Sequence, residues 1–210
     1  MSKVKLIWST PDGENLIAYM ARVSNPENQD SKETAPKLLK YLIDNKHWSP
    51  FEMVNVCMEI ETTRDIARQI LRHRSFSFQE LSQRYAVVHD YDFSQARLQD
   101  KKNRQNSIEV QDRELQRFWQ EAQSTVIRTA VGHYEAALAN GIAKEVARKI
   151  LPEGMMMSRM YMNGTLRSWL HYIDIRCDKA TQKEHREVAD QAKVVIQSLF
   201  PSLFKENNAS

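Results

Sequence analysis

Thirteen consecutive residues, Arg72-His73-Arg74-Ser75-Phe76-Ser77-Phe78-Gln79-Glu80-Leu81-Ser82-Gln83-Arg84, hold three arginines, a histidine, a glutamate and three serines. Arginine presents a planar fork of donors that matches a phosphate or the carbonyl edge of a pyrimidine. A glutamate among them can accept from a ribose hydroxyl or an amide, and serine hydroxyls can complete the shell of a phosphate. The stretch is too polar to be core and too rich in fixed-geometry donors to be an ordinary solvated face. The plainer reading is an exposed helix end followed by a charged turn. Anion recognition is the chemistry that would use this mixture.

The segment before the motif must aim it. Residues 63–72 carry Ile66, Ala67, Ile70 and Leu71 at helical spacing, with Thr63 at the cap position. The other face bears Arg64, Arg68 and Arg72 beside Gln69, with Arg68 and Arg72 one turn apart. Upstream, Val54, Val56, Met58 and Ile60 alternate with Asn55, Cys57, Glu59 and Glu61, which predicts a strand over 53–62 with one apolar and one polar face. The cluster His47-Trp48-Ser49-Pro50-Phe51-Glu52 precedes it. Pro50 drives Ser49 toward an extended conformation, leaving the Ser49 hydroxyl and the His47 ring on a loop that can face a ligand.

Elsewhere, residues 4–8 read as a strand and 14–22 as a helix. Ser31 is placed to cap the helix that carries Leu38, Leu39, Leu42 and Ile43. Residues 85–111 are polar and read as a mobile surface excursion. A long amphipathic helix through Leu115, Ile127 and Tyr134 stops at Asn140-Gly141, its stripe being core or subunit contact. A short helix covers 142–151, with Lys144 and Arg148 on one face. The cluster Met155-Met156-Met157 reads as core packing. Further helices open near Thr165 and span 181–200, and 205–210 form a polar tail. These patterns predict one α+β domain over 1–210, mainly antiparallel sheet packed with long helices.

Composition narrows the function classes. A formal net charge of +3 is low for a nucleic-acid-binding domain, and the arginines are clustered rather than spread. No apolar run is long enough to span a membrane, and the N-terminus lacks the apolar core of a signal peptide. Two cysteines make no disulfide framework, which points to a reducing, cytoplasmic setting. None of the five glycines falls in a dinucleotide or P-loop spacing, so no Rossmann fold is expected.

The spacing R-H-R-x-x-S-x-x-E-x-S-x-R over 72–84 resembles the signature of the flavin-dependent thymidylate synthases (ThyX-type). Blocks at 21–24, 47–52, 145–152 and 164–176 resemble further segments of that family. Gln79 stands where the family commonly has Asn, and Thr165 replaces the Asn of an N-x-R element. The resemblance implies FAD as cofactor, dUMP as substrate, and NADPH and 5,10-methylenetetrahydrofolate as co-substrates. It implies a homotetramer with sites shared between subunits, without nucleic acid, membrane or metal. Its flavin contacts would be Ser49, Arg72, His73, Arg74, Glu80, Thr165, Leu166, Arg167 and His171. Its substrate contacts would be Gln69, Arg72, Glu80, Leu81, Ser82, Gln83, Arg84, Arg148 and Arg176. Arg176 would be catalytic, polarising the uracil edge.

No nucleophile motif is present. Cys177 adjoins Arg176, which would lower its pKa if the two were close. Ser82 lacks a nucleophile elbow. The alternative class is an arginine-rich module that binds nucleotides or nucleic acid without catalysis. It predicts steeply salt-dependent affinity for long oligonucleotides.

Overall fold

In a computed structural model, residues 2–204 are described; the polar tail expected at 205–210 lies outside them. Four antiparallel strands form the main sheet in the order β1-β2-β6-β3: β1 (Lys3–Ser9), β2 (Asn55–Thr63), β6 (Met157–Thr165) and β3 (Phe76–Glu80). Val56, Met58 and Ile60 of β2 and Met160 and Met162 of β6 point into one core. Against them pack α1 (Gly13–Ala21), α2 (Ala35–Asp44), α3 (Arg64–Ile70), α6 (Leu166–Arg176) and α7 (Lys183–Leu199). The opposite face sets Lys3, Glu61 and Arg159 side by side across three strands, and Lys5 and Glu59 likewise on two. Such cross-strand alternation of charge favours this register. The architecture is the α+β arrangement expected, and the described residues form no Rossmann unit.

The two central strands each run straight into a helix. Thr63 ends β2 and precedes α3, and Thr165 ends β6 and precedes α6. Because β2 and β6 are antiparallel, the two helices leave from opposite ends of the sheet. The Thr165 side chain accepts from the Ser168 N–H at 3.2 Å, a capping bond. Thr63 instead turns its hydroxyl to Asp65 and does not cap.

A second apolar cluster joins α4 (Arg113–Ala139) to Val88, Leu151 and Met156. Asp112 caps α4, and Gly141 follows its end at φ 78°, the left-handed region that glycine enters freely. Only Gln123, Ile127 and Tyr134 of this helix are buried.

Several expectations are corrected. Ser31 does not cap α2: the helix starts at Ala35, where Pro36 fits a first turn, and Arg22 ties the preceding loop through the Ser31 carbonyl and the Thr34 hydroxyl. The helix expected over 142–151 is one short turn, α5 (Lys144–Ala147), followed by a 3-10 turn. Cys57 is buried despite its place among polar neighbours. The polar middle is held in place. It contains the hairpin β4 (Arg97–Gln99) and β5 (Ser107–Glu109). Gln116 of α4 bonds both backbone groups of Ala96 and the Val110 carbonyl, and Gln123 bonds both backbone groups of Ser94. Arg97 grips both oxygens of Glu184, and Lys183 bonds Glu109. Amide side chains from a neighbouring helix thus add to the few apolar contacts that the segment makes through Val88 and Phe93.

Candidate active site

Three separated sequence blocks meet at one groove of about 680 Å³. Trp48 and Glu52 come from the first, Ser75 from the arginine motif, and Arg167, Ser168 and His171 from α6. Arg167 pairs with Glu52 across it. The Ser168 hydroxyl donates to the Ser75 carbonyl at 3.2 Å, which fastens the motif's turn to α6. Ile43, Trp48, Leu170 and Phe204 supply apolar wall. The rim is mixed in charge, with Arg167, His171, Glu52 and Asp174, and the apolar walls suit a flat aromatic group.

Beside the groove, α3 ends at Ile70, so Arg72 lies in the following turn and not on the helix with Arg68. His73 is half-buried in this turn, edge-on to Tyr172 with ring centroids 5.0 Å apart. Arg176 Nε donates to His73 Nε2 at 2.9 Å. Burial, then the charges of Arg176 and His171, push the His73 pKa down to about 4. His73 is therefore neutral at pH 7. Arg72 and Arg74 are exposed on either side of it.

The rest of the motif departs from this region along β3. Glu80, at the far end, accepts from Ser158 at 2.7 Å and pairs with Arg64 at 3.5 Å. Arg64 and Arg68 both reach Glu153. Four strand steps separate Phe76 from Glu80, roughly 13 Å. Residues 82–86 then form a turn in which the Ser82 hydroxyl accepts from the Arg84 N–H. Arg84 pairs with Glu145, and Lys144 donates to the Tyr85 carbonyl, so this turn sits against α5 and the half-buried Arg148 that follows it. Within one chain the expected residues form two groups. His73, Arg167, His171 and Arg176 gather at one end of β3, and Ser82, Arg84 and Arg148 lie beyond the other.

Individual expectations change accordingly. Ser49 is exposed and opens a 3-10 turn rather than an extended loop; Trp48 and Glu52 line the groove in its place. The Leu166 side chain is fully buried and its N–H donates to Val54, so core packing leaves neither for a ligand. The Thr165 hydroxyl is engaged at the helix cap. Leu81 packs on the second apolar cluster. Gln83 is buried, and its Nε2 has no hydrogen-bond partner. Cys177 is no thiolate: burial, then a hydrogen bond to Asp190 and its charge, push its pKa up to about 11.

His185 was not legible as a site residue. It is fully buried on α7, with Nδ1 3.2 Å from Gln69 Oε1 and Nε2 3.1 Å from the Tyr172 hydroxyl. Its signal is a histidine in register with the apolar stripe of Val188, Ala192 and Ile196. A histidine inside such a stripe needs polar partners.

Residues 5–202 match the family described as thymidylate synthase complementing protein. A flavin-dependent thymidylate synthase from Synechocystis sp. is 52% identical over 190 residues, 90% of this chain and 87% of that one. The chain belongs to the flavin-dependent thymidylate synthase family. A probable member from Paramecium bursaria Chlorella virus 1 is 49% identical over 193 residues, covering 91% and 89% of the two chains. The fold is shared with a UMP/dUMP methylase, PolB from Streptomyces cacaoi, solved with 5-Br dUMP. The TM-score is 0.85 at 24% identity, over 97% of this chain and 93% of that one. Among the described residues, no helix is long and apolar enough to cross a membrane.

Proposed function

We propose that the chain methylates dUMP to dTMP reductively, with FAD bound, 5,10-methylenetetrahydrofolate as carbon donor and NADPH as reductant. The observation that carries this reading is the convergence of Trp48 and Glu52, Ser75, and Arg167, His171 and Asp174 on one groove with apolar walls and a rim of mixed charge. Arg167 and His171 would hold the flavin there against the apolar wall of Trp48 and Leu170, with the exposed Arg72 and Arg74 as further contacts. When bound, reduced FAD supplies the hydride.

The chain's own part is orientation and electrostatics. Arg176 spends only Nε on His73, which leaves Nη1 and Nη2 for the N3–C4=O edge of the uracil. There they stabilise the negative charge that develops as C5 becomes nucleophilic. A neutral His73 accepts from Arg176 without repelling it. Ser82, Arg84 and Arg148 hold the phosphate. A protonated Cys177 supports a mechanism without a protein nucleophile.

The reading includes a homotetramer with shared sites. Two features support it. The flavin group and the phosphate group lie beyond opposite ends of β3, so one nucleotide would draw them from different subunits. The buried Gln83 Nε2 lacks a partner, and an unmet amide donor costs about 1–3 kcal/mol. A neighbouring subunit or ligand would meet it.

The test is the visible spectrum of the purified protein with FAD, before and after dUMP. Flavin absorption that shifts on adding dUMP, followed by turnover to dTMP, is expected. Absence of flavin binding under all conditions would remove the reading and direct attention to oligonucleotide titration.

A further inference from the structure

A chain of hydrogen bonds runs from the buried Tyr172 to Arg97 on the surface hairpin and passes through the Gln69 amide. His185 bridges Tyr172 and Gln69. Gln69 Nε2 donates to Gln182 Oε1 at 2.7 Å. Gln182 Nε2 donates to Glu184 Oε2 at 3.1 Å. Arg97 closes the chain with two bonds to the Glu184 carboxylate, 2.6 and 2.9 Å long.

The sense of every link follows from the Glu184 end. An ionised carboxylate can only accept. Burial opposes its ionisation, but Arg97's hydrogen bond and charge hold its pKa below the ordinary carboxylate value. Gln182 must therefore turn Nε2 toward Glu184 and Oε1 toward Gln69. Gln69 must then turn Nε2 toward Gln182 and Oε1 toward His185. His185 carries its proton on Nδ1, and its Nε2 accepts from the Tyr172 hydroxyl. Reversing either amide would set an oxygen against an oxygen somewhere along the chain. The relation costs Gln69 one Nε2 hydrogen and one Oε1 lone pair. Its other N–H and other lone pair stay available, with their positions fixed.

We propose that Glu184 is a positioning residue for nucleotide binding: through Gln182 it sets which way the Gln69 amide faces its substrate. The inference rests on the proposed reading of this chain as a dUMP-binding enzyme and on the nucleotide contact that the family resemblance implies for Gln69. It gives the polar hairpin a part in the site, because Arg97 holds the carboxylate from which the order propagates. The same chain joins His185 to Tyr172, whose ring packs against His73, so the Gln69 amide and the Arg176–His73 pair share one support.

Glu184→Gln tests this with almost no change in volume. A glutamine there can present oxygen or nitrogen to Gln182, so the directional constraint is lost while the fold is kept. The experiment is a double-mutant cycle on the full-length enzyme with Glu184→Gln, Gln69→Ala and both, reading the Kd and KM for dUMP and kcat. The expected result for Glu184→Gln is a 5- to 20-fold rise in KM and Kd, kcat within about twofold, and no further rise in the Gln69→Ala background. A merely structural Glu184 would weaken binding by the same factor in both backgrounds, and that result overturns the inference. So does unchanged dUMP binding in Glu184→Gln when the wild type binds normally. A wild type that binds no dUMP at all would instead overturn the underlying reading, and the inference with it.

Discussion

Arg176 Nε and His73 Nε2 lie 2.9 Å apart, joining the last residue of α6 to the turn that precedes β3. The bond makes Nε2 an acceptor, so the His73 proton sits on Nδ1. Two sequence blocks separated by about a hundred residues are thereby locked into one unit. The unit holds a neutral imidazole and a guanidinium bonded to it through Nε.

Removing the guanidinium separates binding from chemistry. Arg176→Ala is expected to lower kcat by at least roughly 100-fold, the scale seen when a donor to developing charge is lost. The flavin spectrum should remain, because Arg167, His171 and the Trp48 wall are untouched. The His73 pKa should also rise from about 4 toward the ordinary 6.5, though burial, its larger cause, will hold it below that. Stopped turnover with bound flavin, together with an NMR titration of His73, checks both parts. Near-normal turnover would end the assigned role.

Half-buried His73 and fully buried His185 make stability depend on pH. Burial, then Arg176 and His73, push the His185 pKa down to about 3, as His73 is pushed to about 4. Both folded values lie below the ordinary 6.5, so the unfolded chain binds these protons more readily. Stability is full above about pH 6.5 and is lost as pH falls toward 4 and then 3. Between pH 7 and pH 5 the fully buried His185 should alone account for about 2 kcal/mol. Urea unfolding at the two pH values measures it, and His185→Asn should remove that part of the loss. A wild type equally stable at both would contradict the neutral assignment.

The parts of the fold legible in the sequence are those whose periodicity agrees with their burial. β2 alternates cleanly, and α4, α6 and α7 show apolar spacing at 3.6 residues. β6 alternates as well, with Ser158, Met160, Met162 and Gly164 buried against exposed Arg159 and Tyr161. Its buried face carries serine, methionine and glycine, none of them among the β-branched and aromatic residues that mark a strand. β3 lies inside the arginine motif, where only Phe76 and Phe78 carry an apolar alternation. The hairpin could not be read at all. Its anchors, Gln116, Gln123 and Glu184, lie far along the chain and carry no local signal. For the site, the candidate residues come from the family resemblance, and the division of the motif between two ends of β3 follows only from the strand itself.

That division predicts distinct phenotypes for the two ends. Ser82→Ala, at the end proposed to hold the phosphate, should raise the KM for dUMP by roughly 10-fold while kcat at saturation stays within about twofold, the effect of losing one hydrogen bond to a charged group. Arg84→Ala should act in the same direction and more strongly, and neither should shift FAD affinity. Steady-state kinetics with separate flavin titration would resolve this. Loss of turnover at saturating dUMP in Ser82→Ala would reopen a covalent role for that hydroxyl.

The register of β3 against β6 rests on a contact that tolerates no side chain. Phe76 sits directly opposite Gly164, and a Cβ built on Gly164 would lie 2.4 Å from Phe76 Cδ1. The Phe76 ring is itself held edge-on to Trp169, with centroids 4.9 Å apart, and cannot simply swing away. Gly164→Ala must therefore displace Phe76, or the strand, at a cost of about 1–3 kcal/mol. Phe76 follows directly on the turn that carries His73 and Ser75, so the same substitution should weaken FAD binding several-fold. Gly154→Ala is the control: a Cβ there meets nothing within 4 Å, and its effect should stay within about 0.5 kcal/mol. Urea unfolding and a flavin titration on both variants test the pair. If Gly164→Ala were as stable and as tightly flavin-bound as Gly154→Ala, the turn would be positioned by something other than the Phe76–Gly164 contact.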